Sequence, residues 1–338
     1  MTIGIFPAAG GLGGSTYRHL LKIVPNDQVV LISRFPKKIP ESYVKAGVEV
    51  REAKYEDTPA ELEKAFAGVN TLFLISYPSH VHEYRTKVRN IECIALKPPK
   101  IGRLLTLAMF HKVHLPAIDA ARAAGVKHIF YSSLGFDGKK SGSSLAVVMQ
   151  AHLDTEKHLG HLAETDSSFT YTVIREGLYS ESTPIYTAFF NPKDPQGADE
   201  ILIPHDGTGP GVCWVKRDEL GEGSARLIAK YAVNPATFPH RNSTVTLTGN
   251  RELSLAETVE ALSKIAGKNV RIKQISVDEY VRLPQVLAKF RTEENARTWA
   301  TAWDAIRAGE TAVVTADLEQ ILGRKPEEFE ETVSHHWA

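Results

Sequence analysis

The stretch Thr2-Ile3-Gly4-Ile5-Phe6-Pro7-Ala8-Ala9-Gly10-Gly11-Leu12-Gly13-Gly14 reads as a short apolar strand closed by a glycine-rich loop. From Ser15 a helical pattern follows through Leu20, Leu21 and Ile23. That order sets unpaired backbone N–H groups at a helix N-terminus, where a phosphate is well stabilised. Gly10, Gly11 and Gly13 then let the backbone approach a dinucleotide pyrophosphate. Gly10 and Gly13 have the spacing of the last two glycines of G-x-x-G-x-x-G, and Pro7 takes the place of the first. Proline holds φ at about −65° and removes a donor, so the first turn is expected to differ from the usual one.

After this helix, Gln28 to Ser33 (QVVLIS) is a second apolar run, and Val48 to Val50 begins a third. Ala60 to Ala67 reads as a helix capped by Gly68, followed by a buried strand from Thr71 to Ile75 (TLFLI). Ala117 to Ala124 reads as a helix capped by Gly125, before a fifth strand from Val126 to Tyr131. A helix from His152 to Leu162 precedes a sixth strand, Tyr171 to Arg175. Largely apolar strands alternating with helices predict an α/β, doubly wound parallel sheet covered on both faces. Beyond Gly177 the rhythm breaks at Pro184, Pro192, Pro195, Pro204 and Pro210. We therefore expect a dinucleotide-binding domain over residues 1–180 and a smaller loop-rich α/β lobe over 181–338. A segment near 245–250 is expected to return to the main sheet. Ser254 and Glu257 match the S-x-x-E capping box of a helix ending near Gly267.

The second strand ends in Ser33-Arg34, where a cofactor lacking the 2′-phosphate would call for an acidic residue. Arg34, with Lys37 and Lys38 beyond it, offers cations to a ribose 2′-phosphate instead, so NADP(H) is expected over NAD(H). The chain has 338 residues, 43% hydrophobic and 24% charged, and 40 basic residues balance 40 acidic ones. That balance leaves no net field for a nucleic acid or an anionic membrane. Cys93 and Cys213 lie far apart and outside any CxxC, which excludes a disulfide framework and a structural zinc site. The start has neither a charged n-region nor a long apolar segment, so a reducing, cytoplasmic setting is expected.

The loop PAAGGLGG, the strand end LISR, the strand HIFYSSLG, the run AHLDTEKHL and the block YTVIREGLYSE together resemble the NmrA-like group of atypical short-chain dehydrogenases. Within that group the likeness is strongest to the NADPH-dependent type-2 quinone oxidoreductases, and it spans nearly the whole chain. The resemblance implies a Rossmann-type domain holding NADP(H), a small C-terminal lobe, and a small-molecule substrate in the cleft between them. Carried over by position, it implies that Gly10, Leu12 and Gly13 touch the pyrophosphate and Arg34 the 2′-phosphate, with Lys38 nearby. Ser76 and Tyr77 after the fourth strand, and Ser132 and Ser133 at the end of the fifth, would line the ribose and nicotinamide side. Tyr179 would enter the cleft.

One departure matters for chemistry. The Tyr-x-x-x-Lys pair of ordinary short-chain dehydrogenases is missing, since Leu153 stands four residues before Lys157. Reduction of an electron-poor ring is less demanding, because positioning supplies most of the catalysis and a nearby group or water protonates the oxygen. His152 is the local candidate for that proton, and Tyr179 the other. The missing tyrosine also fits a different class of protein, an NADP(H)-binding regulator of the NmrA type that reports redox state to a protein partner without turnover. Nuclear residence would follow from that role. An isoflavone- or lignan-type reductase ranks lower, because that branch uses a lysine near the position of Glu156. His158 and His161 share a helix face without a third ligand at a supporting spacing, so no metal site is expected. No Gly-x-Ser-x-Gly elbow occurs, and Trp214 reads as a packing residue.

Residues 88–112 interrupt the family pattern between the fourth and fifth strands, and deleting them restores the family's join. The segment holds one acidic residue, Glu92, against five Lys or Arg, and Pro98-Pro99 breaks any helix begun at its start. Val88-Arg89 and Leu105-Thr106 can be encoded by donor and branch-point sequences of short fungal introns, and Lys112 can end in AG. The segment therefore reads as an insertion, a retained intron in a gene model rather than a lineage-specific surface loop.

Overall fold

The computed structural model describes residues 1–77, 113–138, 141–194 and 199–337. The segment 88–112, read above as an insertion, lies outside them. Seven strands form one sheet in the order β3-β2-β1-β4-β5-β6-β8, and every pairing in it is parallel. They are β1 (Ile3–Phe6), β2 (Val29–Ser33), β3 (Glu49–Glu52), β4 (Thr71–Ile75), β5 (His128–Leu134), β6 (Thr170–Glu176) and, after a short β7 (Glu200–Ile203), β8 (Ser243–Leu247). The central strands read as unbroken apolar runs because both faces are covered, and Val29–Ser33 and Thr71–Ile75 are buried at every position.

One face carries the helices Gly11–Leu20 and Arg217–Val233, whose Leu12, Tyr17, Leu220 and Leu227 pack with Phe130 and Ile174 of the sheet. The other carries Pro59–Phe66, His114–Ala123 and Val147–Thr165, packed with Tyr131 and Val173. Successive residues of a strand therefore face different layers, as the period of two requires. Thr58 and Glu61 close a capping box at Pro59–Phe66, and Ser254 and Glu257 close the expected one at Leu255–Ala266. Gly267 ends the latter helix at φ 61°, a left-handed position that glycine adopts without strain.

The chain after β6 builds a second core around Trp303, Tyr280 and Phe290. β7 pairs in parallel with β9 (Arg271–Gln274) in a separate two-stranded sheet. β8 instead joins β6 at the edge of the main sheet, with Val245 opposite Ile174. Trp214 is buried, donates its indole N–H to Thr258 Oγ1 at 2.9 Å and stacks on Phe329, a packing role as expected. Among the described residues no helix is long and apolar enough to cross a membrane.

Candidate cofactor and active site

The helix after the glycine loop begins at Gly11, inside the glycine cluster and earlier than Ser15. Gly10 precedes it in extended backbone and accepts the first intrahelical bond from the Gly14 N–H at 2.7 Å. The amides of Gly11, Leu12 and Gly13 therefore come before any intrahelical partner and point out of the helix end. A side chain at Gly13 would place Cβ 2.4 Å from the Pro7 carbonyl oxygen and 2.8 Å from that of Ala8, whereas at Gly10 no atom of the described residues lies within 4 Å. At Gly11 the nearest atoms belong to the Arg217 guanidinium, 2.8 to 3.0 Å from an ideal Cβ. Free amides, open space at Gly10 and a guanidinium laid on the loop fit a pyrophosphate.

Arg217 arrives there because its helix packs closely on Gly11–Leu20. A Cβ on Gly221 would fall 2.2 Å from Ser15 Oγ, and Ser15 Oγ donates to Asp218 Oδ1 at 2.6 Å. Sequence reasoning passed over Arg217, which is some two hundred positions from the loop and carries no local signal.

Next to the loop lies a cleft of about 360 Å³ lined by Pro7, Gly10, Ser33, Arg34, Glu56 and Tyr77 among others. Arg34 is half exposed, with Nη1 3.7 Å from Glu56 Oε1. Tyr77 donates its hydroxyl to the same carboxylate oxygen at 2.7 Å, and burial with that bond pushes its phenol up to about 12. Glu56 comes from the segment after β3, so no inspection of the end of β2 could reveal a carboxylate here. Lys38 is not among the lining residues; its ammonium lies 4.9 Å from the centre of the Phe35 ring. Ser76 follows β4 and is partly exposed.

The remaining candidates separate onto the two faces of the sheet. His152 is 4% exposed, and its Nδ1 lies 3.1 Å from the Tyr131 hydroxyl. The same hydroxyl is 3.3 Å from His114 Nδ1, which is 3.2 Å from Thr155 Oγ1. The backbone N–H of Tyr77 donates to His114 Nε2 at 2.9 Å, so that nitrogen carries no proton. Ser133 turns to this side too, donating to Glu156 Oε1 at 2.6 Å. Glu156 is bound by two nitrogens of Arg175, at 3.1 and 2.6 Å, and Arg175 also reaches Asp137 Oδ2 at 3.3 Å. A lysine at position 156 would confront that guanidinium.

Tyr179 stands on the opposite face, packed against the cluster that contains Leu12 and bridged to Val215. It is partly exposed and donates its hydroxyl to Glu176 Oε2 at 2.5 Å. Glu176, the last residue of β6, is 1% exposed, and its Oε1 has no hydrogen-bond partner among the described residues. Burial raises the carboxyl to about 7, against the lowering effect of the Tyr179 and Ser132 hydroxyls. An acidic residue ending an apolar strand is a legible signal of a site, and sequence reasoning missed it.

Comparison with known proteins agrees with this geometry. The NmrA-like family profile matches residues 113–331, and an NAD(P)H-binding profile matches residues 8–201. The chain is 27% identical over 320 residues to the NmrA-like family domain-containing oxidoreductase flvB of Aspergillus flavus, covering 94% of this chain and 89% of that one. It is 28% identical over 339 residues to Quinone oxidoreductase 2 of Escherichia coli, covering 98% of each. Among solved structures, triphenylmethane reductase of Citrobacter sp. complexed with NADP(H) superimposes over the whole of both chains with a TM-score of 0.72 at 27% identity. Family profile, full-length relatives and sheet order together place this NAD(P)H-binding oxidoreductase in the NmrA-like family, to which the chain belongs.

Proposed function

We propose that the protein is an NADPH-dependent reductase of quinones or related conjugated carbonyls. The observation that carries the reading is the Arg34 guanidinium lining a cleft continuous with Gly10, since a cation there matches a ribose 2′-phosphate. Glu56, the acidic group of this cleft, is already engaged by Tyr77 and Arg34. The amides of Gly11, Leu12 and Gly13 with Arg217 would hold the pyrophosphate, and Ser76, Tyr77 and Ser132 would line the sugar and nicotinamide side. When bound, the reduced nicotinamide supplies two electrons and a hydrogen as hydride. The chain's own work is to orient the two partners and provide one proton. A small substrate would enter between the glycine-loop face and the C-terminal lobe, with Tyr179 at its border.

The quinone class is supported by the full-length likeness to a quinone oxidoreductase and by the lack of a tyrosine–lysine pair. Leu153 is buried and Lys157 is exposed, so neither supplies an acid. That same lack supports a second reading, an NADP(H)-binding regulator that signals to a protein partner without turnover. Mixing the purified protein with NADPH and a panel of quinones, and following absorbance of the reduced nicotinamide, separates the two. Consumption that depends on the quinone is expected. Tight NADPH binding with no consumption across the panel would overturn the reductase reading in favour of the regulator.

A further inference from the structure

We propose that the buried Glu176 carboxyl stores the proton that the Tyr179 hydroxyl passes to the reduced substrate. The inference rests on the reductase reading and assigns it a proton source. Glu176 closes β6 at the carboxyl edge of a parallel sheet, where ligands of such folds bind, and it shares a face with the glycine loop. It is 1% exposed, and no cation pairs with it among the described residues. A carboxyl so placed is cheaper neutral than ionised. Oε2 accepts from the Tyr179 hydroxyl, the Ser132 hydroxyl faces the carboxyl, and Oε1 has no hydrogen-bond partner among the described residues. A hydrogen bond that merely fastened the loop would not call for an ionisable group with half its bonding capacity unused.

Among the described residues little else around it titrates. From β5 the Ser132 hydroxyl faces the carboxyl, and Leu247 is its register partner on β8. Arg217 and Glu181 act on Tyr179, whose phenol is pushed up chiefly by burial and by Glu176. Arg175, Glu156 and Asp137 are bound to one another on the far face. Tyr179 is partly exposed and shares the sheet face of the glycine loop, so its hydroxyl is the group that would link the buried carboxyl to a bound substrate.

The step balances as follows. The substrate takes a hydride, two electrons and one hydrogen, from the reduced nicotinamide. As the substrate O–H bond forms, the Tyr179 O–H bond breaks, and the phenol oxygen takes the Glu176 proton. Glu176 is left as a carboxylate and regains its proton from water. In the resting arrangement the phenol donates to Oε2, so the carboxyl proton rests on Oε1, and turnover turns the carboxyl to bring that O–H to the phenol oxygen and reverse the direction of the bond.

The test uses the full chain with Glu176→Gln and Tyr179→Phe. Infrared spectra without cofactor should contain a protonated-carboxyl band that fades as pH rises through about 7, is absent in Glu176→Gln and shifts in Tyr179→Phe. In wild-type, kcat with the best quinone should fall over the same range. Glu176→Gln should lose that limb and at least about tenfold in kcat at pH 6, with NADPH affinity held within about twofold. Tyr179→Phe should lose a similar factor, which keeps the test available if the glutamine variant does not fold. An unchanged pH profile in both variants, or no protonated band at any pH, would overturn the proposal. Absence of turnover with the band present would instead overturn the reductase reading and the delivery step with it, while leaving the stored proton demonstrated.

Discussion

Two buried polar clusters lie back to back across β5 and β6, and they are finished to different degrees. On one face the Tyr131 hydroxyl sits between His114 and His152, and Arg175 is gripped by Glu156 and Asp137. On the other, Glu176 accepts from Tyr179 at one oxygen, and the second has no partner among the described residues. A network whose members hold one another fixes the packing of helices on strands but has little left with which to meet a ligand. An unfinished one costs stability and keeps an atom free to do chemistry. The same contrast runs through the glycine loop, where Gly13 is hemmed in by carbonyl oxygens and Gly10 faces open space.

The loop gives the largest expected effect. Gly13→Ala must displace the Pro7 or Ala8 carbonyl, and we expect a loss of about 3 kcal/mol or more in NADPH binding or stability. Gly10→Ala should cost no more than about 0.5 kcal/mol in stability. Calorimetric titration and thermal melts of the two variants would break the contrast if they behaved alike.

Glu176 comes next. Its folded-state value lies above the unfolded one, so its neutral form adds stability at low pH that is lost as pH rises from about 4.5 through about 7. Relative to wild-type, Glu176→Gln should therefore gain about 3 kcal/mol between pH 4 and pH 9, read from urea midpoints at each pH. A constant difference would show that the carboxyl is at ease ionised and that the two clusters do not differ in this way.

Arg34→Ala should weaken NADPH by about 1.5–3 kcal/mol and barely affect NADH, as expected for loss of a charge-assisted pair with the 2′-phosphate. Equal losses for both cofactors would assign Arg34 to the adenine instead. Smallest is Tyr131→Phe, which removes a hydroxyl from the closed network. It should lower stability by about 1–2 kcal/mol while leaving the pH profile of kcat in place. A profile that moved with Tyr131→Phe, or with His152→Gln, would transfer the proton source to the histidine face.

Local pattern was enough for the strands of the main sheet, the glycine loop and the cation at the end of β2, because each depends on neighbours within one element, whereas β7 and β9 of the lobe carried no such signal. Apolar runs such as VVLIS and TLFLI have nowhere to go but a doubly covered sheet, and a helix that opens on Gly11, Leu12 and Gly13 presents its amides wherever it is placed. The β-branched run of β8 marks a strand, but that it pairs with β6 and not with β7 or β9 is set by packing. Tertiary structure decided which polar groups meet. Arg217 reaches Gly11 only because Gly221 lets two helices close on each other, and Glu56 faces Arg34 only because β3 pairs beside β2. His152 and Tyr179, equal candidates along the chain, fall on opposite faces because the helix Val147–Thr165 that carries His152 covers the Tyr131 side of the sheet, whereas the turn after β6 that carries Tyr179 packs against the other layer. Such pairings depend on register and on which layer covers which face, and both are set by long-range packing that no local pattern of residues encodes.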